Sequence, residues 1–154
     1  MAFFKKKKKI LAVDDSEIDL EILEFMLKDR YTVLPTKSGK EALDYLLHFS
    51  NVDLILLDLI MPEMDGWETF SRIKDLSNIT DIPVAFVTSV HGKEEQDRAK
   101  EMGAADYIFK PFSREELIKR IDLMLKKPPE KKAYSALKLD DFSNDSNDSH
   151  DSNE

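Results

Sequence analysis

Asp53-Leu54-Ile55-Leu56-Leu57-Asp58 decides the fold. Large aliphatic residues run unbroken between two carboxylates, with no polar alternation. That is the pattern of a strand covered on both faces, not of one with a wet side. The stretch at residues 9–13 reads the same way: Ile10 to Val13 follow a run of lysines and stop at Asp14-Asp15. Residues 83–87 lead into Thr88, and residues 105–109 end at Lys110-Pro111. Residues 31–34 have the character of an edge strand, because Pro35 has no N–H to give a central ladder.

Helical patterns fill the intervals. Residues 17–28 carry Ile18, Ile22 and Phe25, with Leu20, Leu23 and Leu27 beside them, spaced three and four apart. Ser38 is placed to cap a second helix carrying Ala42, Leu43, Leu46 and Leu47, and Glu41 three residues on completes a capping box. Pro62 and Gly66 bracket a loop before a third helix over 67–76. A polar helix over 93–102 is closed by Gly103. Ser113 caps a final helix with Leu117, Ile118, Ile121, Met124 and Leu125 on its apolar side. Five strand–helix pairs predict an α/β three-layer sandwich with a mostly parallel sheet and right-handed crossovers. Such sheets bind ligands beyond the carboxyl ends of their strands. Here those ends are Asp14-Asp15, Asp58, Thr88 and Lys110.

Composition narrows the function. The chain has 154 residues, no cysteine, and 23 Lys+Arg against 31 Asp+Glu, a formal net charge of −8. No disulfide framework and no thiolate metal or redox site is possible. The acidic balance argues against a nucleic-acid-binding domain, which needs clustered Lys and Arg. The apolar runs fall far short of the roughly 18 residues that span a bilayer. Neither nucleic acid nor membrane is therefore expected as a partner, and a cytoplasmic address is compatible. The five lysines at 5–9 precede only four apolar residues, against the roughly 7–15 of a secretory signal, so they read as a solubilising flank. We expect a basic flank at 1–7, one domain at 8–127, and an acidic disordered tail at 128–154. Pro128-Pro129 stops the last helix. An apolar island of Tyr134, Leu137, Leu139 and Phe142 precedes a Ser/Asn/Asp run too polar to bury a core.

The strand-end residues define a chemistry by themselves. Three carboxylates in one cleft repel one another, and a hard cation relieves that repulsion. Oxygen ligands without His or Cys suit Mg²⁺. An Asp carboxylate can act as a nucleophile and form an aspartyl phosphate, while a lysine and a metal neutralise the moving phosphoryl group.

The ordered set Val13-Asp14-Asp15-Ser16, Leu56-Leu57-Asp58, Met61-Pro62-Glu63-Met64-Asp65-Gly66, Phe86-Val87-Thr88-Ser89 and Gly103 to Phe112 resembles the CheY-like receiver domains of response regulators, over roughly residues 8–127. The resemblance implies a flavodoxin-like sheet in strand order 2-1-3-4-5. It implies Asp58 as phosphoryl acceptor, Asp15 as a direct Mg²⁺ ligand, Asp14 acting largely through water, and the backbone carbonyl of Ile60 as a further ligand. Lys110 would pair with Asp58 and then with the phosphoryl group. Thr88 would donate its hydroxyl to a phosphoryl oxygen, and Tyr107 would swing inward beside the small Ser89. The Lys110–Pro111 bond would be cis. A sensor histidine kinase or histidine phosphotransfer protein would be the phosphodonor. The surface of the fourth helix, fifth strand and fifth helix would bind a target, the chain being a monomer or weak dimer.

Two positions depart toward apolar chemistry: Ile60, two after Asp58, and Val90, two after Thr88. Neither side chain can hydrogen-bond an attacking water, which implies a slow loss of the phosphoryl group. Ser38-Gly39-Lys40 is not a phosphate-binding loop, since no Gly stands five before Gly39 and Glu41 replaces Ser or Thr. His48, His91 and His150 lack partners at metal spacing. Asn78-Ile79-Thr80, Asn144-Asp145-Ser146 and Asn147-Asp148-Ser149 match the glycosylation triplet but carry little without a secretory signal. A phosphorelay carrier is the alternative function. An Asp-nucleophile phosphatase is disfavoured, because it needs an acid where Ile60 stands. A pseudo-receiver is disfavoured by the complete set of site residues.

Overall fold

Strands and helices alternate along the whole described chain. The computed structural model describes residues 6–76, 79 and 81–126. The expectations for the tail, the island at 134–142, His150 and the first five residues lie outside that range. The elements are β1 (Lys9–Val13), α1 (Glu17–Leu27), β2 (Thr32–Thr36), α2 (Gly39–His48), β3 (Leu54–Leu57), α3 (Gly66–Lys74), β4 (Val84–Thr88), α4 (Lys93–Met102), β5 (Asp106–Phe109) and α5 (Arg114–Lys126). All strand pairs are parallel, in the order β2-β1-β3-β4-β5. Every connection is therefore a helical crossover, and the sheet carries helices on both faces.

Strand alternation divides the core. Leu11, Val13, Ile55, Leu57 and Phe86 point to the α2–α4 side and pack with Leu46, Phe70 and Ala99. Ile10, Ala12, Leu54, Leu56 and Val87 point the other way, against Leu20, Leu23 and Leu27 of α1 and Leu117 and Ile121 of α5. Each fully buried Leu or Ile contributes about 1.5–3 kcal/mol by leaving water. The unbroken apolar runs exist because both strand faces meet helices.

Three local expectations shift. The inward stripe of α1 is Leu20, Leu23 and Leu27, whereas Ile18, Ile22 and Phe25 are 69%, 40% and 71% exposed. β2 continues through Pro35 to Thr36; its free side faces outward, so the missing N–H costs no ladder bond. At α2, Ser38 Oγ accepts from the Glu41 amide at 3.1 Å, but the Glu41 carboxylate reaches back to the Lys37 amide at 2.8 Å, one residue before the cap.

Candidate functional site

The carboxyl ends of β1, β3, β4 and β5 converge on one cleft. Val13 and Leu57 are register partners, so Asp14 and Asp58, each next in its chain, emerge side by side. The Asp58 amide donates to the Val13 carbonyl at 3.0 Å, and the Asp14 amide to the Thr36 carbonyl at 3.1 Å. Both carboxylates are buried, while Asp15 is exposed. Oxygens of Asp14, Asp15 and Asp58 all lie within 4.8 Å of one another. This donor set is all oxygen, partly solvated and triply anionic, and it fits Mg²⁺. Ile60, whose carbonyl the resemblance adds as a ligand, projects its side chain outward, 64% exposed.

The loop after β3 is drawn tight against Asp58. The Leu59 amide donates to Asp58 Oδ1 at 2.7 Å, and the Gly66 amide donates to the Leu59 carbonyl at 2.7 Å. A Cβ at Gly66 would stand 2.2 Å from the Asp58 carbonyl oxygen and 2.6 Å from Leu59 Cα. Only a hydrogen fits there. Asp65 then caps α3, accepting from the Glu68 amide.

Lys110 supplies the counter-charge. Its ammonium donates to Asp14 at 2.6 Å, Asp19 at 2.8 Å and Asp58 at 3.2 Å. Burial works against its charge, but the hydrogen bonds to Asp14 and Asp19 and the charge of Asp58 outweigh that and lift Lys110 above the ordinary lysine range. Burial dominates at Asp14, raising its carboxyl above the usual range despite the Lys110 bond and the Ser16 amide. The Lys110–Pro111 bond is cis.

Thr88 is fully buried, and its hydroxyl accepts from the Val90 amide at 3.3 Å. Tyr107 is half-buried. Its hydroxyl donates to the Val90 carbonyl at 2.6 Å, and its ring lies against Phe86 and Phe109. Burial, then the charges of Glu95 and Asp58, push its phenol up to about 12. The hydroxyl thus already engages the loop after β4. Ser89, in that loop, is exposed and lines a groove with Asp19 and Lys110.

Two residues enter that the motifs did not single out as partners of the site. Asp19, on the first turn of α1, is a third holder of Lys110. Its signal, an acid one helical turn after Asp15, is also that of an ordinary helix-start carboxylate. His91 stacks on Phe109, 4.4 Å between centroids, and its Nε2 lies 3.0 Å from the Lys110 carbonyl.

Residues 10–122 match the family model for the response regulator receiver domain. The chain belongs to that family, whose members are signalling switches. A two-component response regulator of Oryza sativa subsp. japonica, ORR5, is 37% identical over 103 residues, covering 66% of this chain and 77% of that protein. A probable cyclic di-GMP phosphodiesterase of Vibrio cholerae is 40% identical over 104 residues, covering 68% of this chain but only 23% of that longer protein. The chemotaxis protein CheY4 of Vibrio cholerae superposes with a TM-score of 0.73 at 30% identity, covering 78% of this chain and all of that one. The protein is thus a CheY-like receiver domain of the two-component kind. Among the described residues no helix is long and apolar enough to cross a membrane.

Proposed function

We propose that the protein is a cytoplasmic phosphorylation switch whose acceptor is Asp58. The observation that carries this is the meeting of Asp14, Asp15 and Asp58 within 4.8 Å, with Lys110 bonded to two of them. A sensor histidine kinase or a histidine phosphotransfer protein donates the group. An Asp58 oxygen attacks phosphorus, the P–N bond of the phosphohistidine breaks, and its electrons return to the imidazole. Asp15, Asp58 and the Ile60 carbonyl, with Asp14 largely through water, would hold Mg²⁺, which would supply charge neutralisation at the phosphoryl oxygens. Lys110 follows the transferred group, and Asp14 and Asp19 keep its ammonium within reach.

Thr88 and Tyr107 transmit the change. Both hydroxyls converge on Val90, one on its amide and one on its carbonyl. When Thr88 turns its hydroxyl proton to a phosphoryl oxygen, the Val90 peptide moves and Tyr107 moves with it. The surface of α4, β5 and α5 then presents a changed face to a target protein. Approach to Asp58 passes α1, where Asp19, Ile22 and Met26 form a groove with Lys110, Pro111 and Phe112. The exposed Ile18 and Phe25 extend its apolar rim, a surface suited to a phosphodonor's helix.

Acetyl phosphate with Mg²⁺, read by intact mass, tests the proposal. The wild-type chain gains one phosphoryl group, whereas Asp58→Ala and a Mg²⁺-free sample gain none. Uptake in Asp58→Ala equal to wild type refutes the assignment. The apolar Ile60 and Val90 give a slow loss of that group. An Ile60→Asn, Val90→Glu variant is expected to shorten the phosphorylated lifetime, and an unchanged decay removes water positioning as the cause.

A further inference from the structure

The edge of the sheet opposite the site carries the other sign of charge. Lys6 to Lys9 lead into β1, Lys28 follows α1, Arg30 precedes β2, and Lys126 ends α5. Contacts tie them into one corner. Lys7 Nζ donates to the Lys28 carbonyl at 2.9 Å, and Arg30 pairs with Asp122 of α5 at 2.7 Å. Lys8 shares a groove with Met124 and Leu125 of α5. These seven cations stand against four carboxylates, Asp29, Asp53, Asp81 and Asp122. Two of the four are engaged: Asp122 with Arg30 and Tyr31, and Asp53 with the Lys9 amide. Among the described residues, Lys6, Lys8, Lys28 and Lys126 have no carboxylate partner, and all four are exposed.

We infer that this basic corner is covered in cis by residues 140–154 of the same chain. That segment holds six acids (Asp140, Asp141, Asp145, Asp148, Asp151 and Glu154) and no Lys or Arg. The chain leaves α5 at Lys126, on the corner itself. Thirteen residues, 127–139, intervene, and the root-mean-square span of a random coil of that length is about 20 Å. Tethering over such a distance gives an effective concentration on the order of millimolar, so weak ion pairs suffice. Charge also sets which end is covered. The carboxyl edge presents Asp14, Asp15, Asp19 and Asp58 and repels the segment, while the amino edge attracts it. Pairs at this exposed surface are screened over about 8–10 Å at physiological salt, so the contact is salt-sensitive.

The full chain tests this directly. It has no cysteine, so Ser152→Cys gives one site for a nitroxide label. Amide signals of residues 6–9 and 28–30 are compared between this chain and one in which the six acids are also neutralised (Asp→Asn, Glu→Gln). Tethering alone broadens residues near Lys126 in both chains, so the difference between them is the measurement. At about 50 mM salt the acidic chain should show at least about twofold weaker signals at the corner, recovering at about 500 mM. Equal signals in the two chains, or broadening that centres on the carboxyl edge, overturn the inference. So does binding to phosphatidylserine vesicles that is as strong for the wild-type chain as for the neutralised one; the corner would then face a lipid surface, not the segment.

Discussion

The two ends of one sheet handle charge in opposite ways. At the carboxyl end three carboxylates share one ammonium, and the side chains of Asp14, Asp58 and Lys110 are only 4%, 11% and 17% exposed. At the amino end seven cations stand largely in water, and their charges are individually worth little. The difference is one of solvation. Burial makes each partner at the carboxyl end consequential, because removing one leaves a charge that water cannot reach.

Lys110→Met should break the comparison most strongly. It leaves buried Asp14 without a counter-charge and should lower the unfolding free energy by about 3 kcal/mol at neutral pH, measured by urea titration. The cost has a pH signature. A carboxyl whose folded pKa lies above its unfolded value contributes stability at low pH and loses it as pH rises through the folded pKa. Burial already raises Asp14, so the penalty should shrink on acidification as the orphaned carboxyl takes up its proton. A penalty independent of pH would place the cause outside Asp14.

Asp58→Asn should act in the other direction. Asp14 and Asp19 hold Lys110 more closely than Asp58 does, at 2.6 and 2.8 Å against 3.2 Å. Removing the Asp58 charge therefore relieves repulsion more than it weakens the lysine. Without metal the variant should gain about 1 kcal/mol. With Mg²⁺ at a hundred times its dissociation constant the wild type should gain about 2.7 kcal/mol, which a variant lacking one proposed metal ligand should largely forgo. The two stability curves should cross as Mg²⁺ is added, and parallel curves would argue against Asp58 as a ligand. The smallest effect belongs to the amino end: Lys6→Gln, Lys8→Gln and Lys28→Gln together should change stability by less than about 0.5 kcal/mol. A larger loss in the same titration would show that these lysines do structural work.

Much of this was legible because punctuation and chemistry coincide. Asp14, Asp58, Thr88 and Lys110 each terminate an apolar run, so the strands that reveal the fold also deliver the site. Asp19 was hidden because it reads as a favourable acid in a first turn, and only the packing of α1 beside the β5–α5 loop brings it to Lys110. The inward stripe of α1 was ambiguous for a related reason. Apolar residues at 18, 20, 22, 23, 25 and 27 surround much of the helix, and periodicity alone cannot choose among them. The fit against β2 and α5 chooses Leu20, Leu23 and Leu27.

Trp67, the single tryptophan, lies 5.0 Å from Phe86 between ring centroids, and the guanidinium of Arg98 from α4 sits 4.3 Å over its ring. Phe86 in turn packs against Tyr107. The chain therefore carries its own optical gauge. A cation resting on an indole face changes its emission when it lifts away, so a shift of α4 or of the Tyr107 ring registers as fluorescence at one known residue, without any label.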